Sequence, residues 1–145
     1  MGDADQIAIS GNQLFDLIPQ RPPMILIDAL VKATDTEFES VLTVTAENLF
    51  VKDHQLQEAG LVENIAQTSA AGFGRKHVMK NQPIPIGFIG AVQNLNIVQL
   101  PQVDDQLKTV VHLTHTVGNI SVVKGTVYNQ DRIAAECDMK LFLKV

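Results

Sequence analysis

The chain has 145 residues, 46% hydrophobic and 19% charged, and eleven basic against sixteen acidic residues leave a net charge of −5. That length holds one domain with an adequate core, so residues 1–145 are expected to form a single domain. The acidic balance gives no general field for nucleic acid and no basic stripe replaces it, while apolar runs such as Met24–Ile27 are too short to span a bilayer.

The opening Met1-Gly2-Asp3-Ala4-Asp5 is acidic where a secretory signal needs positive charge, which makes the cytoplasm the expected compartment. A short helix is expected around Asn12 to Leu17, stopped by Pro19, after which Pro22 and Pro23 hold the chain extended. Met24 to Val31 reads as a buried strand, and Glu37 to Thr45 as an alternating one. From Gly60 to about Lys76 the period changes. Leu61, Val62, Ile65, Ala66, Ala70, Ala71 and Phe73 recur at helical spacing over more than one stripe, and the interruptions Asn64, Thr68 and Ser69 are small. Such a helix is enclosed on most sides.

Everything after Pro83 and Pro85 is strand-like. Ile86 to Val98 is a long apolar run, and Gln106 to Val117 alternates up to the hairpin signal Gly118-Asn119. Ile120 to Tyr128 and Ile133 to Leu143 follow, the last with Ile133, Ala135, Cys137, Met139 and Leu141 on one face. One central helix against a long antiparallel sheet is an α+β layer architecture. Cys137 is the lone cysteine, so neither an intramolecular disulfide nor a cysteine zinc site is expected.

Nucleophile-elbow and phosphate-loop motifs are absent. His112 and His115, three apart on one strand, should point to opposite faces and share no metal. Two residues have chemical potential. Glu63 sits in the first turns of the enclosed helix among Leu61, Val62, Ile65 and Ala66, with Gln67 four residues on. On the same face Ala70 and Gly74 continue without bulk, leaving room for a ligand. By spacing alone, the plainer reading of Glu63 is a carboxylate favouring the helix N-terminus. His54 lies nine residues before Glu63 and by itself reads as a surface loop histidine. Together, a histidine base and a carboxylic acid held neutral by burial suit loss of water from a carbonyl compound.

Three segments carry a family resemblance. Leu17-Ile18-Pro19-Gln20-Arg21-Pro22-Pro23-Met24-Ile25-Leu26-Ile27-Asp28, Glu63-Asn64-Ile65-Ala66-Gln67-Thr68-Ser69-Ala70 and Val103-Asp104-Asp105-Gln106-Leu107 stand in the order of matching motifs in the hotdog-fold β-hydroxyacyl-acyl-carrier-protein dehydratases. The chain resembles more closely the short relatives of those enzymes from aryl-polyene pigment gene clusters. The resemblance implies a hotdog fold and a dehydratase acting on 3-hydroxyacyl thioesters in fatty-acid or polyene-type lipid synthesis.

It further implies that His54 removes the α proton while Glu63 helps the 3-hydroxyl leave, the two coming from different subunits of a homodimer or higher even oligomer. Backbone N–H groups around Gly60 and Leu61 would polarise the thioester carbonyl, and Gln67 would orient Glu63 or the carbonyl region. The substrate would ride on acyl carrier protein or coenzyme A, and no cofactor or metal is implied. A carrier is acidic, so Arg75, Lys76 and Lys80 are the candidate docking residues, reading equally as a cationic helix C-terminus. Where the family has His-Phe-Pro-Gly, this chain has His54-Gln55-Leu56-Gln57, and its loop to the acid is shorter. A hotdog acyl thioesterase and a non-catalytic acyl-binding homolog are the alternatives.

Overall fold

The computed structural model describes residues 6–144, so the acidic opening behind the compartment expectation lies outside it. Strand β1 (Gln6–Ser10) leads into the single turn α1 (Asn12–Phe15), and β2 (Ala29–Ala33) and β3 (Glu37–Thr43) follow. A two-stranded ribbon, β4 (Val51–Lys52) and β5 (Gln55–Leu56), precedes the long helix α2 (Glu58–Met79). Four strands complete the chain: β6 (Ile86–Ile97), β7 (Gln106–Val117), β8 (Ile120–Asn129) and β9 (Arg132–Lys144). Seven of them form one antiparallel sheet in the order β1-β2-β3-β7-β8-β9-β6, and α2 packs against β2, β3, β7 and β8. This is the hotdog arrangement, one long helix held by a long antiparallel sheet.

Alternation decides which side of each strand meets the helix. In β3, Phe38, Ser40 and Leu42 point inward; in β7, Leu107, Thr109 and Val111; in β8, Ser121, Val123, Gly125 and Val127. Leu61 and Ile65 of α2 and Phe38 and Val111 of the sheet are all fully buried. Each such side chain contributes about 2 kcal/mol through its removal from water. Helix and sheet approach closely at Gly72, because a Cβ there would fall inside the Phe38 ring. Phe38 in turn meets Phe73 edge-on, with ring centroids 5.2 Å apart.

Four expectations need correction. Met24 to Val31 is not one strand: pairing begins only at Ala29, since the Leu26 amide and carbonyl bond to helix side chains instead of a neighbouring strand. The helix is longer than Gly60–Lys76 at both ends, running 22 residues from Glu58 to Met79. Gly74 does not extend an open trough, because its Cα faces the Leu17 carbonyl and a Cβ would come within 2.5 Å of that oxygen. In β9 the expected single face also breaks at its start, where Ala134 and Ala135 are both buried and Ile133 is exposed. The pairing of β8 with β9 shifts register at Val127/Tyr128, which turns the strand there.

Candidate active site

The centre of the candidate site is a row of polar side chains on α2. Gln67 is fully buried, and its carboxamide is held at both ends. Its Oε1 accepts from the Leu26 amide at 2.7 Å, and its Nε2 donates to the Met24 carbonyl at 2.8 Å. Because Leu26 can only donate through its N–H, the orientation of the amide is set, and Nε2 also donates to Glu63 Oε1 at 3.0 Å. Asn64 repeats the device three residues before Gln67, about one helical turn back. Its Nδ2 donates to the Leu26 carbonyl at 2.8 Å, and its Oδ1 accepts from the Thr109 hydroxyl. Ser40 and Thr68 complete the buried set at 2.7 Å. The segment after the prolines is thereby bolted to the helix, and Glu63 is presented by a donor that cannot turn away.

Glu63 lines a cleft of about 280 Å³ whose other walls are largely apolar: Ala66, Ala70 and Phe73 of the helix, Phe88 and Ile89 of β6, and Leu141 of β9. Gln20 is the one further polar side chain on its lining. Glu63, Ala66, Ala70 and Phe73 follow at helical spacing, so the cleft runs along one face of α2. Phe73 and Leu143 are shared with a second cleft of about 370 Å³, on which Lys76, His77 and Lys80 stand.

His54 is not in the Glu63 cleft of its own chain. It sits with Asp53 at the tip of the β4–β5 ribbon, both in the left-handed region with φ of 64° and 54°. Such a pair closes a tight hairpin turn. The His54 carbonyl accepts from the Val103 amide at 2.9 Å and its side chain is exposed. Gly60 and Leu61 are buried, and their amides donate to the Gln57 carbonyl at 3.0 and 3.2 Å. A Cβ on Gly60 would lie 2.7 Å from both Leu56 and Phe50, so that turn is packed from the ribbon side. The amides ahead of the first helical bonds therefore belong to Glu58 and Ala59, two residues earlier than the sequence suggests.

Of the basic residues, Lys76 is partly committed. Its Nζ donates to the Asp35 carbonyl at 2.9 Å and lies 5.8 Å from the Phe73 ring centroid, and burial pushes its pKa down. Arg75 is half-buried and Lys80 exposed; together with Lys76 they line a surface groove beside Asp35. Among the described residues, no group of three or more metal-ligating side chains converges, and no helix is long and apolar enough to cross a membrane. The clamp residues Asn64 and Thr68 carry no signal in the sequence beyond being polar on an apolar helix, since their partners lie far along the chain.

Comparison with known proteins places this architecture. The structure resembles that described as the dehydratase heterocomplex ApeI:P from Xenorhabdus doucetiae, with a TM-score of 0.85 at 12% identity over 91% of each chain. It resembles a hypothetical thioesterase with coenzyme A from Streptococcus pneumoniae, with a TM-score of 0.65 at 15% identity over 79% of this chain and 86% of that one. The E. coli PaaI protein of the phenylacetic acid degradation operon gives a TM-score of 0.63 at 14% identity, covering 78% and 80% of the two chains. At such identities these likenesses speak to the fold. No curated protein sequence matches. The ApeP-like family model, described as ApeP dehydratase, matches residues 12–144, nearly the whole chain, and the protein belongs to that family.

Proposed function

We propose that this ApeP-like dehydratase removes water from 3-hydroxyacyl thioesters carried on acyl carrier protein, and that two copies of the chain build each site. The observation that carries the reading is the Glu63 carboxylate, held by an immobilised Gln67 on the wall of an apolar cleft. An acyl chain fits that cleft, and a carboxylic acid there can protonate a departing hydroxyl. The His54 imidazole of a partner subunit supplies the base. It takes the C2 proton, electrons pass into the thioester carbonyl and return to form the C2=C3 bond, and the 3-hydroxyl leaves with the Glu63 proton as water. His54 ends protonated and Glu63 ionised, and one proton transferred back restores both.

Support for a second copy comes from β6. Among the described residues it pairs only with β9, which leaves its other edge free, and Ile86, Phe88, Ile89 and Leu95 on it are between 43% and 54% exposed. A long apolar edge of that kind is a template for another strand. Phe88 and Ile89 also wall the Glu63 cleft, so a chain laid on this edge would sit over the site. Carrier docking is favoured by the cations at the end of α2, one cleft away from Glu63 along the helix.

The test is incubation with 3-hydroxyacyl and 2-enoyl thioesters of carrier protein, coenzyme A and pantetheine. Interconversion is expected. Release of free thiol would make the protein a thioesterase, and binding without turnover an acyl-binding homolog. Glu63→Gln and His54→Ala are each expected to lower dehydration by about 100-fold or more while the denaturation midpoint holds. Full activity in His54→Ala would show that another group is the base.

A further inference from the structure

His54 stands on a ribbon too small to hold itself. Strands β4 and β5 have two residues each, and an isolated two-stranded hairpin is marginal in water even when longer. Gln57 ties its base, Nε2 donating to the Lys52 and Gln55 carbonyls at 3.1 and 3.0 Å. Among the described residues, the backbone bonds from the ribbon to a distant part of the chain all run to the turn from Pro101 to Asp105. The Leu56 amide donates to the Pro101 carbonyl at 2.7 Å, the Val103 amide donates to the His54 carbonyl at 2.9 Å, and Gln55 bridges to Gln102. One carboxylate shapes that turn. Asp105 Oδ2 accepts from the Gln102 amide and from Asn129 Nδ2, both at 2.8 Å, and Asn129 stands at the end of β8. The Asp105 backbone is fixed as well, its carbonyl accepting from the Val44 amide at 2.9 Å. The segment Val103–Leu107, which the sequence singles out, thus carries the acid that joins the ribbon to the sheet.

We propose that Asp105 is a positioning residue for the His54 base. The two bonds that reach the ribbon leave from Pro101 and Val103, on either side of the Gln102 amide that Asp105 holds. Without the carboxylate, the Gln102 and Asn129 donors lose their acceptor and the turn is free to shift, taking the ribbon with it. The His54 side chain is exposed and has no packing of its own to restore its place. A base must come within about 3 Å of the proton it takes, and a misplacement of about 1 Å can cost 100-fold in rate. Glu63 has a separate support. It is held by Gln67, and Gln67 by Met24 and Leu26, a set that shares no hydrogen bond with the turn. A lesion at Asp105 therefore disturbs the base and spares the acid. This inference rests on the two-chain dehydratase reading and extends it to the residue that aims the base.

Kinetics and complementation between variants test it. Asp105→Ala should lower kcat for dehydration by roughly 10- to 100-fold with KM little changed. Asp105→Asn keeps an acceptor oxygen and should recover most of that loss. Unfolded and refolded together with Glu63→Gln, Asp105→Ala should regain about a quarter of wild-type activity, because each mixed dimer then has one site with both groups intact. Refolded with His54→Ala it should gain nothing, since both lesions fall on the base. A general loss of structure would not sort the variants in this way. If Asp105→Ala does not fold, Asn129→Ala, which removes one of the two donors, should show the same sorting with a smaller loss. Where Glu63→Gln and His54→Ala restore each other, an Asp105→Ala protein that is fully active, that is rescued by His54→Ala, or that neither partner rescues overturns this inference alone. Failure of Glu63→Gln and His54→Ala to restore each other overturns the two-chain reading and this inference with it.

Discussion

A glutamine four residues from a glutamate on a helix is ordinary; what makes Gln67 consequential is that every polar atom of its amide is engaged. Its two backbone partners come from a segment more than 40 residues earlier, so the pair Glu63–Gln67 is legible in the sequence but its rigidity is not. Arg75 belongs to the same scale. If the carrier docks on the helix end, Arg75→Glu should weaken use of carrier-bound substrate several-fold more than use of pantetheine substrate, read as the ratio of the two kcat/KM values. Equal losses would place the docking surface elsewhere. Cys137 makes a separate prediction. Burial, and to a smaller degree the neighbouring Asp138, pushes its thiol pKa up to about 11 from an ordinary 9.0. Above pH 9 the unfolded chain releases this proton and the native one retains it, so stability present below pH 9 is lost as pH rises toward 11. The urea midpoint of the wild type should fall more steeply over that window than that of Cys137→Ala, by at most about 3 kcal/mol in stability.

The helix and the strands were the most legible elements because their periods are long and uninterrupted. Even so, the expectation of one strand from Met24 to Val31 fails for a reason at this scale. An apolar run states that a segment is buried, and Leu26 and Ile27 are, but it does not state whether backbone or side chains satisfy its amides. The ribbon that carries His54 is too short, at two residues a strand, to leave a periodic signal. Close approach of α2 to β3 yields a prediction of unusual sign. Glycine to alanine inside a helix normally stabilises by about 1 kcal/mol, yet Gly72→Ala would drive a methyl into the Phe38 ring. A net loss of about 1–3 kcal/mol is expected in urea denaturation, with recovery when Phe38→Leu is added.

At the scale of the molecule, a single chain separates the two expected catalytic residues: Glu63 lines the cleft and His54 stands on an exposed turn. The proposal that two chains build one site has a direct consequence. Glu63→Gln and His54→Ala protein, each inactive, should regain about a quarter of wild-type activity when unfolded together and refolded, since half the dimers are then mixed and each has one intact site. Sizing of the same samples by light scattering should give twice the chain mass. A monomer would remove the basis for complementation, and a requirement for a different hotdog chain would make the assembly a heterocomplex.

Residue order alone determined the architecture, one enclosed helix and a run of antiparallel strands, because hydrophobic period reports which faces leave water. It also determined the chemistry on offer, a carboxylate in an apolar helix with a glutamine beside it. Tertiary structure decided the rest. Only the packed molecule shows that Gln67 is clamped, that the amides of Gly60 and Leu61 are already bonded, and that among the described residues β6 leaves an apolar edge bare. Each of these depends on partners far apart in sequence, and local pattern carries no information about a hydrogen bond whose other half lies across the fold.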